Sequence, residues 1–281
     1  MKDRNEIMRF FGLHPQNDVR RKFAFTLAEG ATHVDNSNNK RRFAFTLAEV
    51  LVTLGIIGVV AVLTVPNVIS NYQKKVYVTQ LQKAYSQLQQ VFDLAMADDE
   101  VEYLADTELF QSINGSNIAA NDDQSAFSSK LGEYMKIQKV CQPRDFSDGC
   151  HSIRYTEPDG CDDSNYGVAL QVFSANGAIY FFDLMKSPHA ISDESCKRVK
   201  EKGGNVCAYH SSEFAIDING VKGPNRRARD LFYFVIDDKG QVYPSGSISV
   251  YGRPSSENKC PYYYGIDCAG RIYDSGWVMD Y

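Results

Sequence analysis

Residues 40–60 read KRRFAFTLAEVLVTLGIIGVV: three basic side chains, then a run that stays apolar as far as Val65. From Val50 to Val65 there are sixteen residues without a charge, and Glu49 is the one ionisable side chain in the 21 residues Phe45–Val65. As a helix those residues extend about 31 Å, close to the hydrocarbon thickness of a bilayer. A secretory signal peptide has a shorter apolar core followed by small residues in an A-x-A-like arrangement. Here Pro66, Asn67 and Val68 follow instead. The heptapeptide FAFTLAE also occurs at Phe23–Glu29, again behind a basic cluster, but that copy runs into GATHVDNSNNK. Such a polar, turn-prone stretch neither spans a membrane nor fills a core. Only the second copy has a context in which it can act, and the first reads as an internal repeat without processing of its own.

Beyond Pro66 the pattern changes. Ile69, Tyr72, Val76, Leu81, Ala84, Tyr85, Leu88, Val91, Phe92 and Ala95 recur at three- and four-residue intervals among Lys and Gln. This spacing predicts an amphipathic helix continuous with the apolar one apart from a proline kink. Charge divides the chain in the same place. Residues 1–44 hold nine Lys/Arg against five Asp/Glu, leaving 21 against 30 for the other 237 residues. A basic head, an apolar span and an acidic body describe a single-span protein whose body is translocated. No contiguous basic surface of the kind that binds nucleic acid is present in the pattern.

The opening segment resembles the N-terminus of type IV pilins and of the pseudopilins of type II secretion. That family has a basic leader ending in a small residue, then Phe-Thr-Leu-x-Glu opening an apolar helix. Here it reads Lys40-Arg41-Arg42-Phe43-Ala44 followed by Phe45-Thr46-Leu47-Ala48-Glu49. Counted from Phe45, the positions of Glu49, Gly55, Gly58 and Pro66 match the family pattern. Two departures are Ala44, where Gly is usual, and a leader of 44 residues, which is long. The resemblance implies cleavage between Ala44 and Phe45 by a prepilin peptidase and methylation of the new amino terminus. It further implies assembly through Thr46 and Glu49, with Gly55, Gly58 and Pro66 giving helix flexibility. The implied partners are the peptidase, other pilin or pseudopilin subunits, an inner-membrane assembly platform and membrane lipid. The implied location is the cytoplasmic membrane with the head outside it, then a periplasmic or extracellular filament.

Downstream, residues 99–140 read as a linking region with a short helix around Phe127, Leu131 and Met135. YGVALQVF and AIYFFDL flank SANG as one hairpin, and DLFYFVI with QVYP flank DDKG as another. The fold class is therefore α+β, a long helix laid on an antiparallel sheet, and the pilin head shares it. The expected division is 1–44 leader, 45–66 transmembrane segment, 67–98 amphipathic helix and 99–281 extracytoplasmic head. All seven cysteines lie between Cys141 and Cys268, without C-x-x-C pairs, which favours disulfides over a zinc site. Short loop closure pairs Cys260 with Cys268 and Cys196 with Cys207, and the odd count leaves a thiol over.

Two other functions have sequence features to weigh. Asp217, Asn219 and Gly220 stand in a D-x-N-G order with Asp230 downstream, as in oxygen-ligand calcium loops. The EF-hand spacing and its distal Glu are missing, and Asp and Asn before Gly are chiefly turn formers. An enzyme has no residues to rest on: His151, His189 and His210 are isolated, and no nucleophile–base set or phosphate loop stands out. The alternative from another class is a non-filamentous, membrane-anchored receptor or binding module.

Overall fold

The computed structural model describes residues 45–147, 149–150, 152–156, 168–186, 201, 213–247, 260 and 265–281. Helix α1 runs Leu47–Asp98 as one element with Pro66 inside it. Pro66 has no N–H, so the carbonyl four residues upstream loses its intrahelical donor, but the helix continues through this point. Its two halves differ in what they touch. Leu63 is 69% exposed, whereas Leu88 is 0% exposed. Val78, Leu81, Ala84, Leu88, Val91, Phe92 and Ala95 are buried along one face, at the spacing that brings side chains of successive turns together. The docked stripe is shorter than the periodicity predicts: Ile69 and Tyr72 remain exposed and extend the apolar surface of the upstream half.

The docked half lies on a six-stranded sheet. Strands β1 (Ile137–Cys141), β2 (Leu170–Ser174), β3 (Ile179–Asp183), β4 (Glu213–Asp217), β5 (Leu231–Ile236) and β6 (Val242–Pro244) pair in chain order. Every pairing is antiparallel. Alternate residues face opposite sides of a sheet, and the burial follows that period. Tyr180, Phe182, Phe214, Ile216, Phe232 and Phe234 join the core containing α1. Ile179, Phe181, Ala215, Leu231 and Tyr233 join a second core with Tyr155 on the other face. Phe182 opposes Phe214 and Phe214 opposes Phe234 in register. Their ring centroids stand 6.2 and 5.5 Å apart, and Tyr85 of α1 extends the row at 5.9 Å from Phe234. Offset aromatic contacts of this kind add to area burial and fix where the helix sits.

Polar groups set the register of α1 on the sheet. The Gln89 amide donates to the Gly240 carbonyl at 3.0 Å and accepts from the Val242 N–H at 2.8 Å. Asn176, in the β2–β3 turn, donates to Gln87 at 2.6 Å. Gly240 has φ +76°, and a Cβ there would come within 2.7 Å of Met96 Sδ, so the turn approaches the helix as only glycine allows.

Three regions hold more structure than the sequence pattern marked. Residues 99–140 are not merely a linker. They contain two 3-10 turns (Leu104–Asp106, Ile118–Ala120), α2 (Glu108–Gln111) and the start of β1, beside the expected short helix, which is α3 (Ser125–Tyr134). Leu104, Leu109, Phe110, Ile113 and Phe127 bury in the main core, so tertiary packing holds pieces too short to be stable helices alone. The SANG and DDKG hairpins are joined by β4, which the pattern did not mark. The Cys260–Cys268 closure is present as expected, and from Cys268 the chain continues into α4 (Cys268–Asp274), which the pattern did not mark.

Candidate functional site

The N-terminal helical segment presents an apolar surface on all sides. Phe45, Leu51, Val52, Leu54, Ile57 and Val62 are among its exposed large side chains. A helix that is apolar all round belongs in a core or a membrane, and among the described residues this half packs in no core. Its backbone is internally hydrogen-bonded, and the hydroxyls of Thr53 and Thr64 donate back to Val50 and Val60 carbonyls. Little polar surface is left to resist hydrocarbon. This is one apolar helix able to span a membrane.

At its start, Thr46 and Glu49 bind each other reciprocally. Glu49 Oε2 accepts from the Thr46 N–H at 2.8 Å and from its hydroxyl at 2.9 Å, while Thr46 Oγ1 accepts from the Glu49 N–H at 3.2 Å. This is a capping box. The signal T-x-x-E is present in Thr46–Glu49, so the cap was readable in the sequence, where only the assembly role implied by the resemblance was read. Gly55 and Gly58 face open space, since an added Cβ would meet nothing within 4 Å. Glycine in a helix interior is about 1 kcal/mol less favourable than alanine, and among the described residues no contact requires it here. Ala44 lies outside the described residues, as do the leader and the first FAFTLAE.

Asp217, Asn219 and Asp230 do come together. Asp217 Oδ1 accepts from the N–H groups of Asn219 (3.0 Å) and Gly220 (2.8 Å), and its Oδ2 accepts from the Tyr155 hydroxyl at 2.6 Å. Asp230 accepts from the N–H groups of Asn225 (2.7 Å) and Arg226 (2.6 Å) and from the Asn219 amide at 3.3 Å. Burial pushes Asp217 up to about 7; the Tyr155 hydroxyl and the Asn219 and Gly220 N–H groups oppose this, and the Asp230 charge adds to it. Burial likewise raises Asp230. The pair organises a turn through its internal donors. Among the described residues no cluster of three or more His, Cys, Asp or Glu converges as a metal site would.

Cys260 and Cys268 are disulfide-bonded with Cα atoms 5.1 Å apart, which ties the start of α4 to Cys260. Cys141 and Cys150 form a second bond at a Cα separation of 5.4 Å. Sequence reasoning missed that pair although its spacing, nine residues, resembles the eight of Cys260–Cys268. Cys196 and Cys207 lie outside the described residues.

Residues 39–65 match the family model of the prokaryotic N-terminal methylation motif. No curated protein and no solved structure matches the chain. The chain thus carries the prepilin-type segment that marks type IV pilins and pseudopilins, on an α+β, pilin-like fold. The motif is that of structural, pilin-like proteins and not of an enzyme family.

Proposed function

We propose that the chain is made as a prepilin, cut between Ala44 and Phe45, N-methylated on Phe45, and polymerised through α1 as a structural subunit. The filament is a type IV pilus or a type II secretion pseudopilus, and the function is structural, not catalytic. On this reading residues 1–44 are a removed cytoplasmic leader and 45–66 the membrane segment. Residues 67–98 continue the helix into the extracytoplasmic head, 99–281. The carrying observation is that a single helix is apolar and uncovered in the half bearing the motif and docked in the other half. A membrane anchor alone needs no such continuity. A filament core built of packed α1 helices covers the uncovered half once it leaves the lipid, and Gly55 and Gly58 let neighbouring backbones approach.

Glu49 has two duties on this reading. Within the subunit it caps α1 with Thr46. During docking it compensates the amino terminus of a neighbour, a cation that loses hydration in a dry bundle. Glu49→Gln separates the two, because glutamine keeps the capping box and removes the charge. Membrane insertion and cleavage are expected to survive, since Lys40–Arg42 and Ala44 are untouched. Incorporation into sheared filaments is expected to fall. A Glu49→Gln subunit that assembles as well as wild type would reduce Glu49 to a helix cap.

A further inference from the structure

We propose that a basic concavity between α1 and the loop after β4 docks the head on the phosphate headgroups of the outer leaflet of the membrane; this rests on the membrane-anchored reading above. The concavity, of about 240 Å³, is formed by Lys74, Tyr77, Arg226, Arg227, Arg229 and Tyr281, among others. Four of these six side chains are cations, in a portion of the chain where acids outnumber bases 30 to 21.

Its position follows from the helix. Residues Val50–Gln73 carry no Asp, Glu, Lys or Arg, and Lys74 and Lys75 are the first charges after Glu49. Those 24 residues rise about 36 Å, against about 30 Å of hydrocarbon and 40–45 Å including headgroups. Lys74 and Lys75 therefore emerge at headgroup level. The fold brings Arg229 to the same turn of α1: its guanidinium donates to Gln73 Oε1 at 3.4 Å and lies 5.9 Å from the Tyr77 ring. The Tyr281 hydroxyl donates to the Ala228 carbonyl at 2.9 Å and fixes the loop from the other side.

The nearby acids are already engaged. Asp280 is held by a two-pronged Arg271 contact at 2.9 and 3.0 Å, which with a smaller contribution from the Lys74 charge keeps its carboxyl below the usual range. Asp230 accepts from its own loop. Arg226 and Arg227 are also engaged, Arg227 lying 5.6 Å from the Tyr233 ring among its contacts. Among the described residues Lys74, Lys75 and Arg229 enter no ion pair. They carry the attraction, with Arg229 offering the planar fork that suits phosphate.

The test uses the full chain in mixed micelles containing either phosphatidylglycerol or phosphatidylcholine, with native mass spectrometry counting retained lipid. Wild type is expected to retain phosphatidylglycerol preferentially. The double variant K74Q/R229Q is expected to lose at least tenfold of that preference, at about fivefold for each charge near an anionic surface. K83Q, farther along α1, is expected to keep it, and unchanged Trp277 fluorescence checks that the variants are folded. Equal retention of both lipids by wild type, or an unaffected double variant, would overturn the inference. So would displacement by inorganic phosphate at constant ionic strength, which would mark a free-phosphate site. The N-terminal mass of the same sample reads processing separately. Processing at Phe45 without lipid preference sinks this inference alone, whereas lipid preference in an unprocessed protein sinks the prepilin reading alone.

Discussion

Leu63 and Leu88 are the same residue type on the same helix, one exposed and one fully buried, so truncating each in turn isolates what docking of α1 contributes. Leu88→Ala removes three carbons, worth about 2.4 kcal/mol at about 0.8 kcal/mol per buried methylene. The cavity left behind raises such losses into the range of about 2–5 kcal/mol. About 3 kcal/mol is expected, because the aromatic row beside α1 is too rigid to collapse fully into the gap. Trp277, the chain's one tryptophan, reports the event: its ring stands 5.6 Å from Tyr85 of α1 and 5.4 Å from Tyr273. Urea unfolding of the full chain in micelles, followed by Trp277 fluorescence, is the assay. With a slope of about 2–3 kcal/mol per molar urea, the Leu88→Ala midpoint falls by roughly 1–1.5 M. Leu63→Ala is expected to change stability by less than about 0.5 kcal/mol, as for an exposed site. Equal shifts for the two variants, or a Leu88→Ala loss below about 1 kcal/mol, would refute the division of α1 into a docked and an undocked half.

Gly270→Ala should destabilise the head by about 3 kcal/mol despite the better helix propensity of alanine, as measured by the same urea transition. The added Cβ would sit 2.0 Å from the Ser247 nitrogen, and the Gly270 N–H bond to the Ser245 carbonyl would be lost. Asp217 makes stability fall as pH rises from about 4 to 7. In that interval the native state holds a proton that the unfolded chain has released, a loss of about 2 kcal/mol between pH 5 and 7.5. Thermal melts across this range should show the slope in wild type and a flatter profile in Asp217→Asn. Chelation with EDTA is expected to leave Tm unchanged, because internal donors already occupy the Asp217 and Asp230 carboxylates. A lower Tm would assign the loop to calcium.

The elements legible in the sequence are those whose signal is local. The uncharged run after Glu49 and the three–four spacing from Leu81 to Ala95 describe α1 without help from the fold. SANG and DDKG mark their hairpins by turn chemistry. Strand β4 was missed because EFAID is five residues long and buried on both faces, which removes the alternation that betrays a half-exposed strand. Helix α4 was hidden by Gly270, a poor helix former that the approach of Ser247 makes obligatory. Between Asp99 and Ile137 only α3 shows a period, in Phe127, Leu131 and Met135; the shorter pieces before it follow none because burial of Leu104, Phe110 and Ile118 holds them. In the candidate site, Thr46–Glu49 was readable as a four-residue capping box. The basic concavity was not, since Lys74 and Arg229 are brought together across half the chain by the sheet between them.

The mature N-terminus is the most direct test of the central claim. Mass spectrometry of the protein recovered from the membrane or from sheared filaments is expected to find a chain beginning at Phe45 and carrying one added methyl group on its amino terminus. A mature chain that retains Lys40–Ala44, begins at Phe25, or is cut beyond Pro66 would contradict it.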